Sequence, residues 1–165
     1  MASGTVIAAV IAKYGTLSAA NFPDASRPSI WLDEAPQQDG AGAQLKTPYT
    51  IIRDESNDPE WTFGTNGTPG QNALLDEGFR LEVYYTSLAN CNAAMAAILW
   101  NGAIPNARAG LAFATLTLDS PLKGLSVVPT KSRSEYAGFL DYQGKRVYKV
   151  WQQFKAPTAL AGEGY

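Results

Sequence analysis

A strand passes into a helix with almost no loop between them, and this junction constrains the fold more than any other feature of the sequence. Over 79–86 every second residue is apolar, which predicts a strand with one buried face. Further along, apolar residues fall three and four apart on one stripe of a helix: Leu88, Cys91, Met95 and Ile98. Ser87 is the predicted N-cap, and Asn101 with Gly102 is the predicted end of the helix. The junction therefore predicts a βα unit.

The remaining segments predict a second helix and several further strands. An N-terminal helix is expected because apolar residues recur at helical spacing: Ile7, Val10, Ile11 and Tyr14. Strands are expected over 29–33, 49–53 and 111–119, whereas 124–131 is expected to be irregular with a short extended piece around Val127 and Val128. A terminal hairpin is expected over 135–155, with a two-residue turn at Gln143-Gly144. Hairpins on both sides of the central helix predict an α+β fold, with about two helices packed on a mostly antiparallel sheet.

The 165 residues are expected to form a single domain, 1–165, with two projecting segments. A long arm or loop is predicted around 55–77, where alternating aromatic residues precede the glycine-rich stretch GTNGTPGQN. A flexible tail is predicted over 157–165, which is small and polar. Trp61 and Phe63 in the arm, with Tyr165 in the tail, are the candidate subunit or partner interface, although local packing of the arm aromatics remains open. The other tryptophans are expected in the core.

The sequence contains no histidine, which removes Ser-His and Cys-His nucleophile pairs and the commonest zinc ligand. The single cysteine, Cys91, lies on the apolar helix stripe and is predicted to be a buried thiol. Acidic residues occur in adjacent pairs that lack the spacing of a calcium loop or any reason to converge in a cleft: Asp33-Glu34, Asp54-Glu55 and Asp76-Glu77. We therefore expect no catalytic residue, no metal site and no cofactor.

The charge balance restricts the partners of the chain. A formal net charge of −2 offers no positive field for nucleic acid, and the basic clusters at 131–133 and 145–149 are expected to be solvated strand ends. Charged residues make up 17% of the chain, below the roughly 25% of typical soluble domains, as expected if other chains cover part of the surface. The apolar run 6–11 is too short to span a bilayer and no basic residue precedes it, so a soluble, non-exported protein without a membrane partner is expected.

The order of these features resembles the tail-completion or tail-terminator proteins of tailed bacteriophages. The resemblance covers about residues 5–156 and is carried by TPYTIIRDE, by FRLEVYYTS running into LANCNAAMAAIL, and by the closing strand GKRVYKVWQQF. Two segments, 55–77 and 121–133, are longer than the family pattern needs. The resemblance implies a non-enzymatic structural virion protein of the phage neck, assembled in the host bacterial cytoplasm. It also implies a homo-oligomeric ring, commonly a hexamer, that caps the tail tube and contacts the tail tube protein and a head-side connector or adaptor protein.

Three other functions remain open from the sequence. A head-completion or connector adaptor would occupy the neighbouring layer of the same neck, but adaptors are often predominantly helical and this chain is rich in predicted strands. A small hydrolase would need at least two of the acidic residues in one deep pocket. A small monomeric module would bind a peptide by adding a strand to its sheet edge. The oligomeric state of the purified protein separates the last of these from a ring subunit.

Overall fold

A computed structural model describes residues 4–37, 46–55, 60–62, 72–76, 78–102, 110–112, 115–116, 125–155 and 157–159. Its helices and strands are, in chain order, α1 (Gly4–Gly15), β1 (Ser29–Leu32), β2 (Tyr49–Asp54), β3 (Glu60–Thr62), β4 (Asn72–Asp76), β5 (Phe79–Tyr85), α2 (Leu88–Trp100), β6 (Thr115–Leu116), β7 (Leu125–Ser126), β8 (Val128–Leu140), β9 (Arg146–Lys155) and β10 (Pro157–Ala159). Two short 3-10 helices, Ala19–Asn21 and Pro23–Ala25, connect α1 to β1. Neither helix of the described part is long and apolar enough to cross a membrane.

The central sheet has five strands in the order β1-β2-β5-β9-β8. β1 runs parallel to β2, and every other neighbouring pair in this sheet is antiparallel. Helix α2 packs against β5 and β9. The structure thus confirms the predicted α+β class, with two helices and a mostly antiparallel sheet.

The β5–α2 junction forms as the sequence predicts. The Ser87 hydroxyl accepts a hydrogen bond from the Asn90 N–H at 3.4 Å, and Asn101 ends the helix in the left-handed conformation with φ 45° and ψ 43°. One residue of the predicted buried stripe is misplaced, because Leu88 is 38% exposed. Leu88 is the first residue of the helix, where the chain is still leaving the sheet, and the buried face begins at Cys91.

The main core lies between the helices and one face of the sheet. It is formed by side chains from both helices and three strands: Val6, Val10, Tyr14, Ile52, Phe79, Leu81, Val83, Tyr85, Cys91, Met95, Ile98, Val150 and Phe154. The Phe79 and Phe154 rings stack with centroids 4.9 Å apart, which joins β5 to β9. Aromatic pairs at such separations add roughly 0.5–1.5 kcal/mol beyond area burial.

The prediction that most tryptophans lie in the core is wrong for the three whose side chains are described. Trp31, Trp100 and Trp151 are all half-buried. Trp31 lies on edge strand β1, Trp100 is the last residue of α2, and Trp151 is covered by the Arg80 guanidinium at 5.2 Å from its ring centroid. Aliphatic residues, tyrosines and phenylalanines fill the core instead.

The predicted strand 111–119 is wrong at its start. Leu111 and Ala112 are buried in a turn that docks on the end of α2, where their N–H groups donate to Ile98 O at 2.9 Å and to Leu99 O at 3.0 Å. Only the two residues of β6 are extended among the described part of this range, and they pair with β7. The remaining positions lie outside the described residues. Helix-end carbonyls need partners, and this turn supplies two.

The terminal hairpin is confirmed, but both its length and its turn differ from the prediction. β8 begins at Val128, within the predicted extended piece, but the irregular structure predicted around that piece is wrong over 125–126 and 129–131, which are strand. Residues 141–145 form the connection in place of a two-residue turn. The Asp141 carboxylate accepts hydrogen bonds from the Gln143 and Lys145 N–H groups, both at 2.8 Å, and Gly144 has φ 77°. This side-chain capping stabilises the longer connection.

The arm region contains a second, smaller sheet. β3 and β4 pair antiparallel, and β10 pairs antiparallel with the other side of β4. Trp61 lies on β3 opposite Ala73 in the backbone register. Phe63 lies outside the described residues. The range 157–165 begins with β10, and its remainder, including Tyr165, also lies outside them.

Candidate subunit interface

The central sheet has one long edge and one short edge. β8 pairs only with β9 and β1 only with β2 among the described residues. Most of β8 is exposed, and its pairing is irregular on either side of a regular stretch at 132–136. An exposed edge strand presents unpaired N–H and C=O groups that can bind another strand. β8 is therefore a surface able to extend the sheet.

The distal end of the β8–β9 hairpin carries four exposed apolar side chains, which we call the hairpin patch: Tyr136, Phe139, Leu140 and Tyr142. They are divided between the two faces of the sheet, since Tyr136 lies edge-on to Tyr148 on the helix side and Phe139 lies by Tyr84 on the outer face. Their exposed fractions are 45%, 42%, 55% and 47%, respectively. The patch is anchored to the sheet, since the Phe139 ring stacks near Tyr84 with centroids 6.2 Å apart. Clustered exposed aromatic and aliphatic side chains are typical of protein–protein interfaces.

A charged network covers the outer face of the sheet, opposite the helices. Glu82 is 1% exposed, and its Oε1 accepts hydrogen bonds from Arg53 Nε at 2.6 Å and from the Tyr84 hydroxyl at 3.0 Å. Arg80 Nε lies 3.7 Å from Glu82 Oε2 and 3.1 Å from Glu55 Oε1. Burial, together with the negative charge of Glu82, raises the pKa of Tyr84. Because two guanidinium groups and a hydroxyl surround it, Glu82 is a structural acceptor that ties β2 to β5.

The predicted acidic pairs do not form a catalytic dyad among the described residues. Asp33 and Glu34 are both exposed after β1. Glu55 lines a cleft of about 260 Å³ with Gly78, Thr130, Lys131, Gln153, Phe154 and Lys155. It is the one carboxylate among those residues, and it already accepts from Gln153 Nε2 at 2.8 Å. The cleft therefore lacks the second acid that a carboxylate hydrolase needs.

The described residues offer neither a metal site nor a reactive thiol. The described part of the chain contains no group of three or more Cys, Asp or Glu side chains placed to hold a metal ion. Cys91 is fully buried, as predicted, and its thiol donates to Tyr148 O at 3.2 Å. Burial raises the pKa of Cys91 to about 11, so the thiol is protonated at neutral pH and is a poor nucleophile.

The basic residues of the hairpin differ in their exposure and in their contacts with Glu135. Lys149 Nζ and Arg133 Nε both lie 3.5 Å from the Glu135 carboxylate. The Arg133 side chain is nevertheless 69% exposed, and Lys131 is exposed beside it on β8. The β8 edge is therefore basic at one end, while the opposite edge of the sheet ends in Asp33 and Glu34.

Sequence reasoning missed both the hairpin patch and the Glu82 network. The patch had a signal, because the residues around the predicted turn, YAGFLDY, are apolar at a hairpin end that has no core to enter. For Glu82, alternation indicated only a polar face. The burial of Glu82 depends on Arg53, which lies on the neighbouring strand β2 and is paired in register with Arg80 of β5. Of the predicted interface residues, only the backbone of Trp61 falls within the described part of the chain.

Together these features define a class: an α+β fold whose central sheet has two edges that pair with no further described strand, with an exposed hairpin patch at one of them. No family model and no curated protein matches the sequence. The fold is similar to that of a chain in a solved structure described as the virion of a native gene transfer agent (GTA) particle, with a TM-score of 0.54 and 17% sequence identity. The match covers 96% of this chain and 97% of that chain. At this identity the similarity shows a shared fold, over nearly the full length of both proteins.

Proposed function

We propose that this chain is a structural subunit of a phage-like virion. The observation that carries the proposal is the fold shared, over nearly its whole length, with a chain of a gene transfer agent virion. The surface supports it, since the most exposed apolar residues lie at an open sheet edge and a hairpin end, where another chain can pack. A subunit of this kind has no need of a catalytic group.

Within the virion, the role proposed is that of a tail terminator. In this role the chain forms a homo-oligomeric ring that caps the tail tube and joins it to a head-side connector or adaptor. The family resemblance favours a ring of six copies. The sequence pattern that resembles tail terminators and the strand-rich fold support this role over that of an adaptor. Assembly takes place in the host cytoplasm, and the mature location is the neck of the particle.

A closed ring requires each copy to use two different surfaces, because a head-to-tail contact repeats around the axis. The two dissimilar edges of the central sheet satisfy that requirement. The arm that carries Trp61 and Phe63, and the tail that ends at Tyr165, are proposed as additional contacts to a sister copy or to the tube.

Negative-stain electron microscopy of the purified protein tests the proposal. Rings with a central hole, together with a multi-subunit mass in solution, are expected. Deletion of the gene that encodes this chain should leave filled heads and tails of uncontrolled length, because nothing would then stop growth of the tail tube. Deletion that yields normal tails and open heads would instead assign the adaptor role.

One observation favours a second candidate. The long exposed β8 edge suits a monomeric module that binds an extended peptide by β-strand addition. Such a module would remain monomeric at protein concentrations of tens of micromolar, and also when purified virions are added. A monodisperse monomer that is also missing from purified particles would exclude the ring subunit and favour this module.

A further inference from the structure

We infer that strand β8 of one copy pairs with strand β1 of a second copy of this chain, so that the central sheets of neighbouring subunits join edge to edge. The inference deepens the proposed ring and rests on it, because it specifies which two surfaces make the repeating contact. Three properties of the two edges carry it: strand direction, cross-strand register and charge.

The directions of the strands determine how the two edges can pair. β2 is antiparallel to β5, β5 to β9 and β9 to β8, while β1 is parallel to β2. β1 and β8 therefore run in opposite directions within one subunit. Rotation about a ring axis preserves the direction of each strand relative to that axis. When the β8 edge of one copy meets the β1 edge of the next, the new pair is antiparallel, the pattern with direct perpendicular hydrogen bonds.

The cross-strand register sets which residues lie level with each other. Leu32 is level with Ile52, Leu81, Gln152 and, at the far edge, Ser132. In the same way Trp31 is level with Arg133. The regular stretch of β8 at 132–136 is therefore level with β1 and long enough to pair with all of it. The irregularities of β8 fall outside this stretch.

Charge is complementary at the same level. Beyond Leu32 the chain continues into exposed Asp33 and Glu34, whereas the residues beside Ser132 are exposed Lys131 and Arg133. In the joined sheet the basic residues of one copy lie next to the acidic residues of the neighbour. Opposite charges across a strand pair are favourable, and like charges directly opposite are destabilising.

Apolar side chains adjoin the same edge. The residues of the hairpin patch follow Glu135 along the chain, beyond the level of Ser29, so they would extend the contact with apolar area.

Charge reversal at both edges tests the inference. We expect Lys131→Glu and Glu34→Lys each to weaken the oligomer by about tenfold or more, and the double variant to restore it, since the attraction returns with its sign exchanged. The matched control is Lys145→Glu, which makes the same charge change in the exposed hairpin turn, away from the level of β1. Analytical ultracentrifugation across concentrations gives the association strength, and circular dichroism checks that each variant is folded.

Crosslinking provides a second test that depends on proximity. In the variant Leu32→Cys/Ser132→Cys, mild oxidation should give a ladder of covalent oligomers up to the ring size on a non-reducing gel. Paired strands bring Cα atoms to about 4.5–5.5 Å, close to the range that a disulfide spans. The control Leu32→Cys/Gln143→Cys should stay monomeric on the gel, and buried Cys91 should not react.

The outcomes separate this inference from the proposed function. Rings that form normally in both charge-reversed variants and give no ladder would overturn the β8–β1 contact and leave the ring intact. A wild-type chain that stays monomeric, alone and in its particle, would overturn the ring and the contact together.

Discussion

Glu82→Gln is the substitution that most directly tests the interpretation of the outer-face network. Glutamine keeps the shape of the side chain but removes its charge. It also replaces one carboxylate oxygen with an N–H₂ group. In the wild type, Arg53 Nε lies 2.6 Å from Glu82 Oε1 and Arg80 Nε lies 3.7 Å from Oε2, so the new N–H₂ group faces one of these two donors. In either orientation, one guanidinium group loses its contact with an oxygen of residue 82; Arg80 keeps Glu55 Oε1 at 3.1 Å, whereas the Arg53 Nε would face an N–H₂ group.

The structure sets the size of the effect. Breaking a fully buried ion pair costs about 3–5 kcal/mol, because one charge stays buried without a partner. Here the Glu82 side chain is 1% exposed but that of Arg53 is 36% exposed, so Arg53 regains part of its hydration. We therefore expect a loss of about 2–3 kcal/mol in the free energy of unfolding, within the range for hydrogen bonds to charged groups plus residual desolvation. For a chain of this size the Tm should fall by about 5–10 °C.

Urea unfolding followed by far-UV circular dichroism measures this loss. Glu135→Gln is the matched control, because Glu135 lies on the same sheet but its carboxylate is 31% exposed and stands 3.5 Å from Arg133 and Lys149. Surface pairs of that kind contribute about 0–1 kcal/mol. If Glu82→Gln costs no more than Glu135→Gln, the network does not join β2 to β5 in the way described.

Two further predictions concern the helix-end turn and the buried tyrosine. Gly110→Ala should lower the free energy of unfolding by about 2–4 kcal/mol in urea titrations, because its Cβ would overlap the carbonyl of Leu99; Gly15→Ala, with open space around the new Cβ, should change it by less than about 0.5 kcal/mol. Burial raises the pKa of Tyr14 to about 12. An unfolded tyrosine titrates near pH 10, so Tyr14 contributes about 2–3 kcal/mol of stability that is present below about pH 10 and is lost as the pH rises through about 12. In Tyr14→Phe, denaturant titrations from pH 8 to about 11.5 should show a shallower decline in the free energy of unfolding than the wild type. At neutral pH the variant should be about 1 kcal/mol less stable, because it loses the hydrogen bonds to Pro28 O and Thr50 Oγ1. A decline as steep as that of the wild type would contradict the assignment.

Periodicity in the sequence determined the elements whose pattern is local. The β5–α2 junction, its Ser87 cap, helix α1 and the β8–β9 hairpin all follow from spacing that neighbouring residues set among themselves. The α+β class follows from the order of these elements. Burial of Cys91 was also predictable, because a helix stripe specifies which side chains face the sheet.

Only the tertiary structure decided what depends on residues distant in sequence. The parallel pairing of β1 with β2 and the addition of β10 to β4 join segments whose own patterns name no partner. Alternation placed Glu82 on a polar face, but its burial required arginines from β2 and β5 to surround it. The identity of the edge strands was also decided by the tertiary structure, because every strand has the same backbone donors and acceptors and its sequence does not mark it as an edge. Which strand is left at the edge depends on the order in which the strands assemble, and no local period encodes that order.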